Sequence, residues 1–338
     1  MGFARFILRR LLLMIPILFG VLLLTFVVSH VVTPYPARAW AGPRASESTV
    51  QTIANRYHLN DPLPIQFYYY LSDLFRGDWG VSPSTGQPVL ANILAFFPAT
   101  IELTIVAFLL SVAVGIPLGV VSAVHRDQPV DHLLRLVSLS GIASPPFLVA
   151  LLMQLILFYY LRIFPESGGR ISPLISPPTH ITGLFLVDSL LTGNLPAFVS
   201  SLQHILMPAL ALALVTFGLA TRLTRASMLE VLRTDYVRTA RAKGLNNRTV
   251  IYKHALRNAL ISTTTIMSSA FAFLLGGTVV IETIFSWPGI GRYAAQAVLN
   301  LDFPAIMGTT LVFALGVVLC NLVADTLYAL LDPRIKLG

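Results

Sequence analysis

The chain has a single cysteine, Cys320, set in an apolar run, so neither an internal disulfide nor a thiolate metal cluster can form within it. Charge is scarce as well. Asp, Glu, Lys and Arg make up 11% of 338 residues against 55% hydrophobic residues, and the mean hydropathy is +0.76. Too little polar surface remains to solvate a soluble globule, which places the chain in a lipid bilayer. Catalytic signatures are also missing. No Gly-x-x-x-x-Gly-Lys-Ser/Thr loop and no His-Glu-x-x-His helix occurs, so the chain cannot hydrolyse ATP by itself.

What charge there is has an uneven distribution. The net charge is +8, and the stretch from Arg222 to Arg257 holds nine bases against only Glu230 and Asp235. Membrane topology accounts for such a cluster without a nucleic-acid partner, because basic loops stay on the cytoplasmic side.

Uncharged runs near the roughly 20 residues needed to cross hydrocarbon predict six spans. They run from Leu11 to Val32, Leu103 to Val124, Leu136 to Leu161, Ile205 to Thr221, Asn258 to Ile281 and Phe303 to Ala324. The first lacks a small-residue cleavage site and reads as an anchor rather than a removable signal peptide. An N-terminus inside puts 16 bases in the cytoplasm and seven outside, and an even span count then brings both termini inside. Three regions follow: residues 1–32 as N-terminal tail and first span, 33–97 as an extracytoplasmic segment, and 98–338 as the core, with the basic loop 222–257 in the cytoplasm.

In the outer segment, Tyr57-His-Leu-Asn-Asp-Pro-Leu-Pro and Gln66-Phe-Tyr-Tyr-Tyr-Leu-Ser-Asp-Leu-Phe-Arg-Gly-Asp-Trp-Gly80 carry apolar residues at helical spacing before a glycine stop, predicting a small helical cap. The second outer segment, 162–204, is rich in Pro, Gly and Ser and reads as a connector, with a gate or partner contact as the other reading.

Within the basic loop, Asp235 to Leu245 starts at an acid suited to capping, runs through helix formers with small residues between its bases, and stops at Gly244. Such a helix is suited to being docked upon. A second helix, from an asparagine cap at Asn247 to about Leu260, would feed directly into the fifth span.

Other polar residues have simpler readings. Glu102 and Glu282 are expected to be hydrated structural groups at outer span ends rather than proton relays, and Asp325 to be hydrated at the inner end of the last span rather than paired with a base. His204 reads as a capping or packing residue, Gly115 and Gly119 as a weak small-residue packing signal, and Ser144-Pro-Pro146 as a bend. Asn247-Arg-Thr249 is a coincidental sequon on the cytoplasmic side.

The stretch Met228-Leu-Glu-Val-Leu-Arg-Thr-Asp-Tyr-Val-Arg-Thr-Ala-Arg-Ala-Lys-Gly-Leu245 with His254-Ala-Leu-Arg-Asn-Ala-Leu260 resembles the cytoplasmic coupling loop of bacterial ABC-importer permeases of the dipeptide, oligopeptide and nickel group. The resemblance extends through Phe6-Ile-Leu-Arg-Arg10, Phe75-Arg-Gly-Asp-Trp-Gly80, Glu282-Thr-Ile-Phe-Ser-Trp-Pro-Gly-Ile-Gly-Arg292 and Asp332-Pro-Arg-Ile335. It implies an all-α membrane protein with the type I ABC importer permease fold. It also implies a coupling helix that sits in a groove of a separate ATPase, formed by Asp235, Tyr236, Arg238, Thr239, Ala240, Arg241, Ala242, Lys243, Gly244 and Leu245. The family pattern of Glu-Ala-Ala, three intervening residues and Gly falls on Arg238, Thr239, Ala240 and Gly244, the Arg-Thr-Ala version being usual in the peptide group.

The implied partners are a second homologous permease, two ABC ATPase subunits that carry ATP and Mg, an extracytoplasmic substrate-binding protein and the bilayer. The chain itself would hold no cofactor. The segment from Pro177 to Ser189 is similar to the dipeptide branch. Two positions depart from the group: Ser262 stands where proline is usual, and Thr33-Pro-Tyr-Pro36 replaces a Gly-Asp-Pro run. A self-sufficient ion-coupled carrier and an intramembrane hydrolase are the alternatives from other classes, and both would act without ATPase partners.

Overall fold

The computed structural model describes residues 3–32, 35–42 and 45–331; the Asp332-Pro-Arg-Ile335 motif, Lys336 and Thr33-Pro34 lie outside the described residues. Thirteen α-helices occur among the described residues. α1 (Phe3–Val27) continues as a π-helical turn to Val32; α2 (Pro36–Ala41), α3 (Glu47–Arg56) and α4 (Leu63–Arg76) then precede α5 (Val89–Val124). α6 (Pro129–Ala143) and α7 (Pro146–Met153) follow, the latter extended by a π-helical stretch to Tyr160. After α8 (Phe185–Leu191) come α9 (Leu195–Val231) and α10 (Asp235–Ala242). A π-helical turn, Thr249–Ala255, opens into α11 (Leu256–Ile284), and α12 (Ile290–Leu299) and α13 (Phe303–Leu331) complete the fold.

Five helical stretches are long and apolar enough to cross a membrane, and a sixth forms if the bent pair α6 and α7 counts as one span. The expected third span is therefore real in composition but broken in shape, with a bend of 105°. Pro145 and Pro146 cause it. A proline disfavours helical geometry in the residue before it, and Ser144 is extended at φ −78°, ψ 129°. Each limb has 15 residues, about 22 Å at 1.5 Å per residue, which is short of the roughly 30 Å hydrocarbon thickness.

The expected shortest span is the longest helix. α9 has 37 residues because the apolar run ends at Gln203-His204 and Arg222, whereas the helix persists through both polar flanks. Pro196 sits in its first turn, where a missing N–H costs nothing. α9 is also the centre of the bundle, packing on α5, α6, α7, α8 and α11. Its seam with α5 is closed by glycines: a Cβ on Gly115 would lie 2.6 Å from Ala220 Cβ, and one on Gly119 would lie 2.7 Å from the Thr221 carbonyl oxygen. Gly141 and Gly218 close the α6–α9 seam in the same way. The modest glycine signal in the sequence is a genuine packing device. α1, by contrast, packs on α13 and leaves most of its apolar side chains exposed, as a lipid-facing helix does.

Several polar groups fasten the helix ends. Arg10 pairs with Asp325 at 2.8 Å, joining the start of α1 to the end of α13; the expectation that Asp325 is merely hydrated is corrected. At the opposite end, Asp302 accepts from Ser82 Oγ, Ser84 N and Ala305 N, so one buried carboxylate caps α13 and holds the 78–88 loop against it.

Glu102 and Glu282 are buried, contrary to their expected hydration. Glu282 accepts from Thr100 Oγ1 at 2.7 Å and from Arg292 N at 2.9 Å, and Thr100 in turn receives Ile290 N. Gly289, which opens α12, has no side chain to cap it, and the carboxylate from α11 takes over that task. Any Cβ on Gly289 would meet Glu282 Oε2 at 2.4 Å, which explains the glycine in the Trp-Pro-Gly-Ile-Gly segment.

Candidate functional site

α10 owes its position to two side chains on one face. Val237 and Ala240, three residues apart, are buried against Val250 and lie beside Val231 and Leu232. Everything else on the helix is exposed: Asp235, Tyr236, Arg238, Thr239, Arg241, Ala242, Lys243, Gly244 and Leu245. All ten residues of the expected coupling site are thus brought together. They divide, however, into an outward face and an anchoring one, and Ala240, expected to admit a partner, packs inward.

The caps differ in detail from expectation. Asp235 is the first helical residue, after Thr234 at the N-cap, and no side chain caps the helix; the Thr234 hydroxyl donates back to the Val231 carbonyl at 2.6 Å. Asp235 instead favours the helix electrostatically in its first turn and lies 3.4 Å from Arg238, a fully surface pair of small energetic value. Gly244 ends the helix at φ +74°. Its N–H donates to the Arg241 carbonyl and that of Leu245 to the Ala240 carbonyl, the paired bonds of a Schellman turn. No atom lies within 4 Å of where a Gly244 Cβ would sit, so the positive φ alone demands glycine.

The helix is bolted to the next element at a second point, which sequence reading missed. Asn258 Nδ2 donates to the Tyr236 hydroxyl at 2.7 Å. The only sequence clue is a pair of polar side chains on two helices that a short turn connects. The following helix starts at Asn247 and is capped by Asn246, whose side chain accepts from Arg248 N at 3.0 Å; the cap thus lies one residue before the expected Asn247. From Thr249 the helix runs without a break to Ile284. Ser262 lies inside this unbroken stretch, and the local irregularity is the π-helical turn Thr249–Ala255 before it.

Beside this platform lies a buried ionic joint. Asp131, at the start of α6, accepts both Arg225 Nε and Nη2 at 2.7 Å, together with Ser122 Oγ and the Asp127 amide. Three helices, α5, α6 and α9, therefore share one carboxylate. Asp131 drew no attention in the sequence, although an acid between Arg126 and Arg135 was the available signal.

The opposite end of the bundle carries the 162–194 segment, which is folded rather than a loose connector. Arg170 donates to Glu102 at 2.6 Å and to the Gly183 carbonyl at 2.8 Å, with its guanidinium 3.8 Å over the Phe185 ring. Burial holds this guanidinium below its ordinary pKa while Glu102 pulls it back up. Asp188 ties the next turn by accepting the amides of Ile181, Thr182 and Gly183 and the Thr182 hydroxyl. Burial would raise its pKa; these bonds outweigh burial and hold it below the usual carboxylate value. Between this segment and the first turns of α9 lies a cleft of about 950 Å³, bordered by Glu166, Ser167, Gly169, Ser200, Gln203 and His204. His204 Nδ1 donates to the Ser200 carbonyl at 2.7 Å, the packing role expected, with its ring on the cleft wall.

No group of three metal-ligating side chains occurs among the described residues. Comparison with known families matches residues 115–337 to the binding-protein-dependent transport system inner membrane component and residues 3–104 to the N-terminal membrane component of the same systems. The chain is 46% identical to a probable D,D-dipeptide transport system permease protein of Escherichia coli (strain K12), over 94% of each chain. It is 41% identical to a dipeptide transport system permease protein of Alkalihalophilus pseudofirmus, over 97% of this chain and 98% of the other. A glutathione transport system permease protein of Escherichia coli O1:K1 / APEC is 35% identical over 98% of both. With all-helical architecture, several apolar spans and family matches along nearly its whole length, this chain belongs to the binding-protein-dependent transport system inner membrane components, as a multi-pass transport permease and not an enzyme.

Proposed function

We propose that the chain is half of the translocation pathway of an ATP-driven importer for short peptides, with α10 as the helix that an ATPase subunit grips. Support comes from the two faces of α10. One is fixed to the π-helical turn Thr249–Ala255 through Val237 and Ala240 and to α11 through the Tyr236–Asn258 bond, and the other presents Arg238, Arg241, Ala242 and Lys243 to a partner. A helix fastened in this way passes a push directly into a membrane-spanning element.

The full assembly would contain a second homologous permease, two ATPase subunits that bind ATP and Mg, and an extracytoplasmic binding protein. Both termini and the loop 222–257 lie in the cytoplasm, and residues 33–97 form the extracytoplasmic segment beside a core of 98–338. The basic-residue count favours that orientation. Peptides are the substrate class because the similar permeases are named for a D,D-dipeptide, dipeptides, di- and tripeptides and glutathione. The route lies at the interface with the second permease.

The assembled transporter in proteoliposomes tests this reading. Gly244→Val forces a β-branched residue to φ +74° and disorders the end of α10. ATP-driven dipeptide uptake is expected to fall severalfold while membrane assembly and binding-protein docking persist. Unchanged uptake removes the coupling role of α10, and uptake by the chain alone removes the subunit reading in favour of a self-sufficient carrier.

A further inference from the structure

A cleft of about 670 Å³ opens where α5 ends, α6 begins and α9 ends. Arg126, Arg135, Arg225 and Arg233 line it with Asp127, Glu230 and Leu229. Its charges can be paired off. Arg126 Nε lies 3.0 Å from Asp127, and Arg225 is held by buried Asp131 through two bonds. Glu230 is then the one acid left on the lining to balance both Arg135 and Arg233. Arg135 meets the uncharged acceptor His132 Nδ1 through Nη2 at 2.5 Å, while its Nε sits 3.8 Å from Asp131, beyond hydrogen-bond range, and has no acceptor. The cleft therefore carries one positive charge in excess, the charge that one phosphodiester would neutralise.

The surroundings are apolar on the membrane side. α6, which supplies Asp131 and Arg135, exposes Val130, Leu133 and Val137 on its outer side, so acyl chains have a surface to lie on at the level of the cleft. We propose that this arginine cleft is a binding site for the phosphate headgroup of one anionic phospholipid, seated against the joint between α5, α6 and α9. The inference does not depend on the peptide or ATPase assignments, because guanidinium geometry suits a phosphate and the adjoining helix face suits lipid.

Native mass spectrometry of the assembled transporter, released from vesicles of phosphatidylglycerol and phosphatidylcholine in equal amounts, tests it. The unaltered protein is expected to retain phosphatidylglycerol over phosphatidylcholine. The double variant Arg126→Gln, Arg233→Gln leaves the Asp131 joint intact and should lower that retention by roughly fivefold per arginine. Equal retention of the two lipids, or undiminished phosphatidylglycerol on the variant, overturns the site. Inorganic phosphate binding as well without lipid makes the ligand a free anion, and a variant that sheds ATPase subunits while keeping its lipid makes it an acidic protein surface; either result overturns the lipid assignment.

Discussion

Removing Arg170 leaves Glu102 charged in a place that water does not reach. The two side chains are 9% and 5% exposed and meet at 2.6 Å. The second Glu102 oxygen accepts Leu186 N at 2.7 Å, so the carboxylate cannot turn toward another donor without releasing the start of α8. Breaking a buried pair from one side typically costs about 3–5 kcal/mol. Arg170→Met retains much of the apolar stem and isolates the charge. The double variant Glu102→Gln, Arg170→Met removes the stranded charge, and its cost should fall to about 1–2 kcal/mol, since a neutral pair of similar volume is far cheaper to bury. Hydrogen exchange on the assembled transporter reads the opening of this segment. Amides of Gly183 and Leu186 should exchange on the order of a hundredfold faster in Arg170→Met and recover most of their protection in the double variant. If the double variant is as labile as the sum of its two single changes, or if Arg170→Met shifts exchange by less than about threefold, the ion pair does not hold the 162–194 segment.

Two further outcomes can be checked. Gly119→Ala places a Cβ 2.6 Å from Thr224 Cβ and 2.7 Å from a backbone oxygen, and overpacking of that seam should cost about 1–3 kcal/mol in detergent melts, whereas Gly20→Ala, with nothing within 4 Å, should be neutral or slightly stabilising. Asp188 has a depressed pKa in the folded chain, so its contribution is full above the ordinary carboxylate value of about 4 and is lost as pH falls below it. Limited proteolysis of the 181–188 turn should therefore accelerate under acid, and Asp188→Asn should show the faster cleavage already at neutral pH.

Transmembrane class, the six apolar runs and the α10 platform were legible because each rests on composition or on short-range pattern. Hydrocarbon thickness sets the length of a run, basic residues mark the loop, and Gly244 marks a helix end. Long-range partners were not legible. Nothing local tells that Glu102 finds Arg170 68 residues away, or that Asp131 reaches Arg225 94 residues on. An acid near a span end is compatible with hydration or with burial, and packing decides between them. The same holds for helix ends: α9 outlasts its apolar run because polar residues at either flank remain good helix positions outside the hydrocarbon. The 105° bend was announced by Ser144-Pro-Pro146, but only its existence, since the angle depends on how the two limbs pack on α9 and how α7 meets α11.

α9 can also be viewed as a lever. Its 37 residues make a rod of about 55 Å, with the cleft beside the 162–194 segment floored by one end and α10 attached just beyond the other. The glycine contacts from α5 meet it at residues 217–224, well off centre. Pivoted there, the arm toward Val231 is roughly 17 Å and the arm toward Ser200 roughly 30 Å, by the rise per residue. For a helix tilting rigidly about that seam, the end at Ser200 travels nearly twice as far as the end at Val231 and in the opposite direction.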